Sequence, residues 1–411
     1  MRIGTLFSGI GSPEQGAKRV YGDKLELVFA CEWDKYARES FKANYEIEDK
    51  HFHIDINDMN GTQYKDKVDI IIGGSPCQDF SIAGLRAGID GNRGILIYQY
   101  FRIIDEVKPP IFIYENVKGM LSDKKGKTIK EFVEAFRQMG YFCHYEVLNT
   151  KDYGIPQNRE RVFIVGFLNY EQYYRFQFSP KQKLTKRLKD ILEDNVEEKY
   201  YLSDRFIKTS IKHKERHTER GNGFSFEPKT PNDIASCLQS AYGNRQTDTF
   251  IKHPSNQLNP TYKSQANTIH NINLVAPTLC AFTHGYAGGY IKEGVDGTSP
   301  CLQTMQGGNR EPKILDLTND FGEGKTREYM EYSPALRSER FGLATKQNYR
   351  IRKLTPRECF RLQDFPDSFK FVVSNSQLYK QAGNSISVNI MEMIFNQIEK
   401  SRIINLNGCL F

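Results

Sequence analysis

Long apolar runs are missing from this sequence. No stretch of about 18 apolar residues occurs, which excludes a transmembrane helix. The amino terminus, Met1-Arg2-Ile3-Gly4-Thr5-Leu6, reads as a strand and lacks the apolar core of a secretory signal. A soluble, cytoplasmic protein with no membrane partner is therefore expected. Paired cysteines are missing too. The eight cysteines, Cys31, Cys77, Cys143, Cys237, Cys280, Cys301, Cys359 and Cys409, include no C-x-x-C spacing. That argues against a zinc site or a disulfide framework, and no metal is expected; reduced thiols fit instead. A regular repeat is also absent. Ala235-Ser236-Cys237-Leu238-Gln239, Ala276-Pro277-Thr278-Leu279-Cys280 and Ser299-Pro300-Cys301-Leu302-Gln303 resemble one another, but their spacing is too irregular for a solenoid. Neither sign of charge dominates. The net charge of +7 is a mild pointer to a polyanionic partner.

What is present centres on Gly73-Gly74-Ser75-Pro76-Cys77-Gln78-Asp79-Phe80-Ser81. Before it runs Val68-Asp69-Ile70-Ile71-Ile72, a β-branched stretch that reads as a strand buried on both faces. Two glycines and a proline end the strand sharply. Cys77 then falls just past its carboxyl end, where open α/β sheets bind ligands. Taken alone, Cys77 reads more readily as a small side chain filling a turn than as a nucleophilic thiolate. The rest of the chain reverses that preference.

The 411 residues suffice for two domains, or one large domain with an insertion. Strands are predicted at Ile3 to Phe7, Leu25 to Cys31, a short segment ending at Asp55, Val68 to Ile72, Ile111 to Tyr114, Tyr141 to Leu148 and Val162 to Phe167. Helices are predicted from Pro13 to about Tyr21, Lys35 to about Asn44, Ile95 to Val107 and Lys127 to Met139. This rhythm implies an α/β fold with a doubly wound, mostly parallel sheet. It fails near Asn169. One further helix is expected around Leu188 to Leu192. From about Ser203 to Tyr349 the chain is polar, shows no clear helical period, and suggests short strands between polar loops. Helices return at Leu354-Thr355-Pro356-Arg357-Glu358, with capping-box spacing and Pro366 as its stop, and from Ser385 to Glu399. The resulting division is a catalytic domain over 1–200, a smaller, irregular, mainly β domain over 201–349, and a returning segment over 350–411.

Polar residues collect at the predicted strand ends: Phe7, Ser8, Gly9 and Gly11, then Glu32 and Trp33, Asp55, Cys77, and Glu115-Asn116. One sheet edge would carry them all. Gly9-Ile10-Gly11 lets backbone approach a ligand at a helix start. Glu32 suits a pair of ribose hydroxyls, and Trp33, the sole tryptophan, suits stacking on adenine. Each also has a plain structural reading, as a tight turn or a helix cap.

Together these residues resemble the cytosine-5 DNA methyltransferases of bacteria and phages, whose fold is Rossmann-like. Phe7-Ser8-Gly9-Ile10-Gly11 resembles the family's adenosylmethionine loop, Pro76-Cys77-Gln78 its nucleophile motif and Glu115-Asn116-Val117 its base-binding motif. Gln157-Asn158-Arg159-Glu160-Arg161 matches its Gln-x-Arg-x-Arg pattern. Arg357-Glu358 resembles the motif that supports the recognition region, and Gly383-Asn384-Ser385 the last motif. Ser12 departs from the family, which often has glycine there.

The resemblance implies S-adenosyl-L-methionine bound by Phe7, Ser8, Gly9, Gly11, Glu32, Trp33, Asp55, Ile56, Pro76, Leu96, Asn384 and Ser385. It implies catalysis by Cys77, Glu115, Arg159 and Arg161, with Cys77 adding to carbon 6 of a flipped-out cytosine and protonated Glu115 serving ring N3. Residues 80–94 would close over the base. Double-stranded DNA would be touched by Gln78, Ser81, Arg86, Arg93, Arg245 and Arg310, and residues 201–349 would read the target sequence. A monomer acting as the modification half of a restriction–modification system, paired with an endonuclease, follows by the same resemblance.

Three alternatives differ in what they require. A tRNA cytosine-5 methyltransferase would methylate tRNA in preference to duplex DNA. A nicotinamide oxidoreductase would need a third glycine at position 14, which is Glu14. A silent DNA-binding protein would not need Cys77, Glu115 and Arg161.

Overall fold

A computed structural model describes residues 1–75, 96–122, 127–219, 221, 226–242, 248–254 and 349–402. They cluster into two compact units. The first takes in Met1–Tyr200, Arg205–Phe250 and the chain from Lys353 onward; the second takes in Tyr201–Asp204 and the span Ile251–Arg352. The described part of the second unit is short and includes most of a two-stranded sheet, β8 (Phe250–Pro254) with β9 (Tyr349–Lys353). Residues 205–250 thus cluster with the sheet that precedes them, whereas composition alone suggests a boundary near 201.

The first unit is built on β1 (Arg2–Leu6), β2 (Glu26–Cys31), β3 (Phe52–His53), β4 (Ile70–Gly73), β5 (Ile111–Val117), β6 (Phe142–Asn149) and β7 (Glu160–Phe167). Their order in the sheet is β3-β2-β1-β4-β5-β7-β6. The first five strands run parallel, and β7 runs antiparallel to both β5 and β6. The doubly wound reading holds. The winding reverses between β1 and β4, and such a switch point opens a crevice at the strands' carboxyl ends.

Alternation along the strands sorts the core onto two faces. Ile3, Ile70, Ile72, Ile111, Ile113, Val165 and Phe167 face Ala17 of α1 (Ser12–Tyr21) and Ile390, Met391, Ile394, Phe395 and Ile398 of the last helix, α10 (Val388–Ser401). Leu6, Ile71, Phe112, Tyr114, Val162 and Ile164 face α3 (Leu96–Val107) and α5 (Lys127–Gln138), which supply Ile97, Tyr100, Phe101, Ile104, Phe132 and Phe136. Each such side chain contributes about 1.5–3 kcal/mol when fully buried. The carboxyl-terminal helix is therefore part of the core of the first unit. Gly16 permits its approach, since a Cβ there would lie 2.7 Å from Met391 Cβ.

The remaining helices are α2 (Lys35–Asn44), α4 (Gly119–Ser122), α6 (Tyr170–Arg175), α7 (Asp204–Glu219), α8 (Pro356–Leu362) and α9 (Asn375–Asn384). The predicted capping box at α8 forms: Glu358 N–H donates to Thr355 Oγ1 (3.2 Å), and Thr355 N–H to Glu358 Oε2 (2.8 Å).

Several expectations need correction. β3 is two residues long and stops before Asp55. The helix expected around Leu188 to Leu192 is a single 3-10 turn, Leu188–Asp190. Gln381 to Asn384 is the final turn of α9, and the helix expected from Ser385 starts only at Val388. Glycine is accepted there because a Cβ at Gly383 would meet the backbone of Gln239 at 2.4 Å. The polar segment read as lacking helical period contains α7. Only Ser210 on it is buried, but Phe206, Ile207, Ser210, His213 and Lys214 recur at helical spacing on its less exposed face, and Asp204 in its first turn and Arg216 and His217 in its last suit a helix.

Candidate active site at the carboxyl edge of the sheet

The loop after β1 is shaped by backbone that side chains rarely adopt. Phe7 has φ 54°, Gly9 57° and Gly11 88°. A Cβ on Gly11 would sit 2.1 Å from the Tyr45 ring. Ser8 N–H donates to Cys31 O at 3.0 Å. Glu32 Oε2 accepts from Gly9 N–H at 2.8 Å and Glu32 Oε1 from Asp34 N–H at 2.7 Å. Burial pushes the Glu32 carboxyl upward, opposed by those two N–H groups. Each oxygen keeps capacity for a further donor. Trp33 beside it is 70% exposed. Asp55 Oδ1 accepts from the N–H and Nδ2 of Asn57. Ile56 is buried in the core, and its carbonyl accepts from Arg102 Nη2 at 2.7 Å. Leu96 opens α3, half-buried against the same core.

The carboxyl-terminal motif is tied to this edge. Gln381 Nε2 donates to Tyr36 O (2.9 Å), Ser40 Oγ donates to Gln381 Oε1 (3.0 Å), and Lys380 Nζ lies 2.6 Å from Asp34 Oδ2. The end of α9 thereby meets the start of α2, directly after Glu32-Trp33. Asn384 is exposed there and Ser385 is buried.

A second group forms where β4 and β5 end. Arg161 Nε lies 3.1 Å from Glu115 Oε1. Desolvation pushes the Glu115 carboxyl up, and Arg161 and Arg159 pull it down, with burial prevailing. Gly74 is pressed against this carboxyl: a Cβ there would lie 2.6 Å from Glu115 O and 2.9 Å from Oε2. Asn116 Nδ2 donates to Tyr114 Oη (2.8 Å) and to Ser75 O (3.2 Å), and Ser75 Oγ and Tyr114 Oη share a hydrogen bond of 2.8 Å. This network anchors the last described residue before Pro76 and Cys77.

Arg159 points elsewhere. Its guanidinium is buried and donates to Leu238 O (3.2 Å), Gly383 O (3.1 Å) and Ser385 O (2.6 Å). Burial, with Arg161 nearby, lowers its pKa to about 10. It clamps the Gly383–Ser385 backbone onto the sheet. Gln157 is buried too and donates to Leu362 O at 3.1 Å. Asn158 N–H and Ala235 O bond at 2.8 Å, which brings the first of the three similar fragments against the Gln-x-Arg-x-Arg segment.

The described residues thus bring together Phe7, Ser8, Gly9, Gly11, Glu32, Trp33, Asn384 and Ser385 on one side, and Glu115 and Arg161 on the other, with Arg159 bonded to the carbonyls of Gly383 and Ser385. Pro76, Cys77, Gln78, Ser81, Arg86, Arg93, Arg245 and Arg310 lie outside the described residues, as do the fragments at 276–280 and 299–303. Sequence reasoning missed Cys237, whose Sγ lies 3.6 Å from Arg159 Nη1 and 3.9 Å from Arg161 Nη2. It also missed Gly74 as the seat for Glu115; the Gly73-Gly74 doublet was a signal, read only as a turn. Glu14 was noticed only for not being glycine.

A family model described as C-5 cytosine-specific DNA methylase matches residues 1–400. The orphan methyltransferase M.SPRI of Bacillus phage SPR is 32% identical over 97% of this chain and 97% of its own length. The type II methyltransferase M.HpaII of Haemophilus parainfluenzae is 31% identical over 93% of this chain and 85% of its own. Among solved structures, the Dnmt2 methyltransferase of S. pombe superposes with a TM-score of 0.58 at 16% identity, over 97% of this chain and 98% of that one; it shares the fold. Among the described residues no helix is long and apolar enough to cross a membrane. With a family match spanning nearly the whole chain, the protein belongs to the C-5 cytosine-specific DNA methylases and is a DNA (cytosine-5) methyltransferase.

Proposed function

We propose that this enzyme methylates carbon 5 of cytosine within a specific sequence of double-stranded DNA, using S-adenosylmethionine and a covalent link from Cys77 to carbon 6. The observation that carries the reading is the buried Glu115–Arg161 pair seated on Gly74, three residues before Cys77 in the chain.

The residues at the β1–β2 edge suit the cofactor. A Cβ at Gly9 would meet nothing within 4 Å, so open space fronts the loop. Glu32 retains acceptor capacity for ribose hydroxyls, Trp33 offers an exposed ring, and Asn384 stands exposed at the end of α9. When bound, S-adenosylmethionine supplies the methyl group that carbon 5 accepts. Ser8, Asp55, Ile56, Pro76, Leu96 and Ser385 complete the proposed cradle, Ile56 through its backbone because its side chain is buried.

Cys77 thiolate forms the bond to carbon 6, and the carbon 5–carbon 6 electron pair shifts toward ring N3 and O2. In this proposal protonated Glu115, its carboxyl pushed upward by burial, donates to N3. Arg161 steadies Glu115 and faces the O2 edge, and Arg159 acts as a positioning residue through the carbonyls it holds. Once carbon 5 carries the methyl group, a base, for which a water molecule suffices, takes its proton, the carbon–hydrogen pair re-forms the carbon 5–carbon 6 double bond, and the carbon–sulfur pair returns to Cys77 as thiolate. Residues 201–349 supply sequence recognition. A modification role beside an endonuclease is part of the proposal, and the relatives include both type II and orphan methyltransferases.

Sequencing 5-methylcytosine in DNA from cells that express the chain tests this reading. Methylation confined to one short recurring sequence is expected. Unmodified DNA, or methylation found only in tRNA, would overturn it.

A further inference from the structure

Behind the glycine loop lies a carboxyl group to which the mechanism assigns no task. Glu14 sits in the first turn of α1 and is buried. The N-cap Gly11 offers no side-chain cap, and the Glu14 carboxyl lies beside its own first-turn N–H. Its Oε1 accepts from Thr5 Oγ1 at 2.6 Å. Thr5 Oγ1 also bonds to Ser8 Oγ at 2.7 Å. Ser8 Oγ in turn accepts from Cys31 N–H at 3.1 Å and lies 3.2 Å from Cys31 O. A single line of hydrogen bonds thus joins α1, the end of β1, the loop and the end of β2. Its far end is one residue from both partners of the Gly9–Glu32 bond. Glu14 Oε2 is buried with no hydrogen-bond partner.

We infer that Glu14 is a positioning residue for the cofactor, acting through Thr5 and Ser8 to hold Gly9 against Glu32. This rests on the reading that the loop at 7–11 binds S-adenosylmethionine. The hydroxyls have one hydrogen each, so the protonation state of Glu14 sets the direction of the line. With Glu14 ionised, Thr5 donates to the carboxylate and Ser8 donates to Thr5. With Glu14 protonated at Oε1, the acid donates to Thr5, Thr5 to Ser8, and Ser8 must turn to a carbonyl, that of Cys31 or of Thr5. The charged form makes the stronger bond to Thr5 and suits a cationic sulfonium in front of the loop.

Burial pushes the Glu14 carboxyl up to about 7, against the pull of Thr5, so both forms are populated near neutrality. The groups around it titrate elsewhere. The Tyr45 hydroxyl, beside Gly11, is raised well above its usual value, and the Cys31 thiol is raised to about 12. Arg19 on the same helix is paired with Asp364 and Glu392. Glu32 is raised as well, and a comparison between variants that all retain it removes its contribution.

The test is calorimetric titration of the full chain with S-adenosylmethionine between about pH 6 and pH 8, beside kcat at saturating cofactor. Wild-type affinity should rise with pH through about 7. Glu14→Gln should bind about tenfold more weakly at the upper end, the scale of one charge-assisted hydrogen bond. It should lose the pH slope and keep kcat within about twofold. Thr5→Val should behave likewise if Glu14→Gln folds poorly, and Thr5→Ser should restore both affinity and slope. A wild-type slope that survives in Glu14→Gln or Thr5→Val, or affinity unchanged in both, overturns the role of Glu14. A wild-type chain that gives no binding heat overturns the cofactor reading itself.

Discussion

Arg161 Nε and Glu115 Oε1 lie 3.1 Å apart, with side chains only 17% and 14% exposed. In such a pair the arginine favours the carboxylate and burial favours the acid. Burial prevails at Glu115 and pushes its carboxyl upward, while the Arg161 guanidinium holds it in place. Gly74 admits this arrangement because any Cβ would enter the space of Glu115.

Replacing Glu115 by Gln keeps a donor but removes the transferable proton. We expect kcat to fall by about 10²–10³, the scale of one lost transition-state donor. S-adenosylmethionine affinity should be unchanged by calorimetry. A kcat within a factor of about two of wild type would remove Glu115 from the chemistry.

Arg159→Lys should act through structure. Lysine cannot reproduce a planar fork spread over the carbonyls of Leu238, Gly383 and Ser385. The cost should be on the order of 2–4 kcal/mol in urea unfolding, with weaker cofactor binding because Asn384 loses its anchor. An unchanged unfolding midpoint would show that those bonds contribute nothing net.

Glu32→Ala should weaken S-adenosylmethionine by about tenfold or more, since a hydrogen bond to a charged group contributes about 1.5–3 kcal/mol. The variant also releases Gly9 N–H and Asp34 N–H, so Glu32→Gln, which keeps one acceptor, should fall between. Calorimetric affinities in any other order would contradict the placement of the ribose.

Glu14 predicts a pH signature in stability. Its folded-state value of about 7 stands above an ordinary 4.5, so the neutral acid is the form the fold prefers. Its stabilising contribution is complete below about 4.5 and is lost as pH rises to about 7, a span worth about 3 kcal/mol. Thermal or urea unfolding of Glu14→Gln should therefore lose less stability than wild type across that window. Parallel stability curves for the two proteins would show that Glu14 titrates as an ordinary surface carboxyl.

Much of this site was legible because its residues follow strands whose β-branched runs are plain. Ile70-Ile71-Ile72 and Ile111-Phe112-Ile113 mark β4 and β5, so Gly73-Gly74 and Glu115-Asn116 fall at their ends by position alone. What escaped depends on side-chain direction, which local sequence does not encode. Arg159 and Arg161 share a strand edge by spacing, yet one turns to backbone carbonyls and the other to Glu115. Cys237 reaches both from a segment over 70 residues away. Helix α7 carries a helical period at Phe206, Ile207 and Ser210, but few of its residues are apolar and the segment around it is polar, so the period is hard to read there. The sharing of a core by α1 and α10 turns on Gly16 and Met391, a contact between the two ends of the chain.

The most direct test of the account is trapping on duplex DNA that carries 5-fluorocytosine at the target. If Cys77 attacks carbon 6, release requires loss of the carbon 5 hydrogen, and fluorine cannot leave as a proton. With S-adenosylmethionine present, the enzyme should form an adduct that survives denaturing electrophoresis and maps to the Cys77 peptide. The adduct should be absent without the cofactor, absent on fluorinated RNA, and absent in Cys77→Ser, whose hydroxyl is far less ionised than a thiol. An adduct through another cysteine, or normal turnover by Cys77→Ser, would contradict the account.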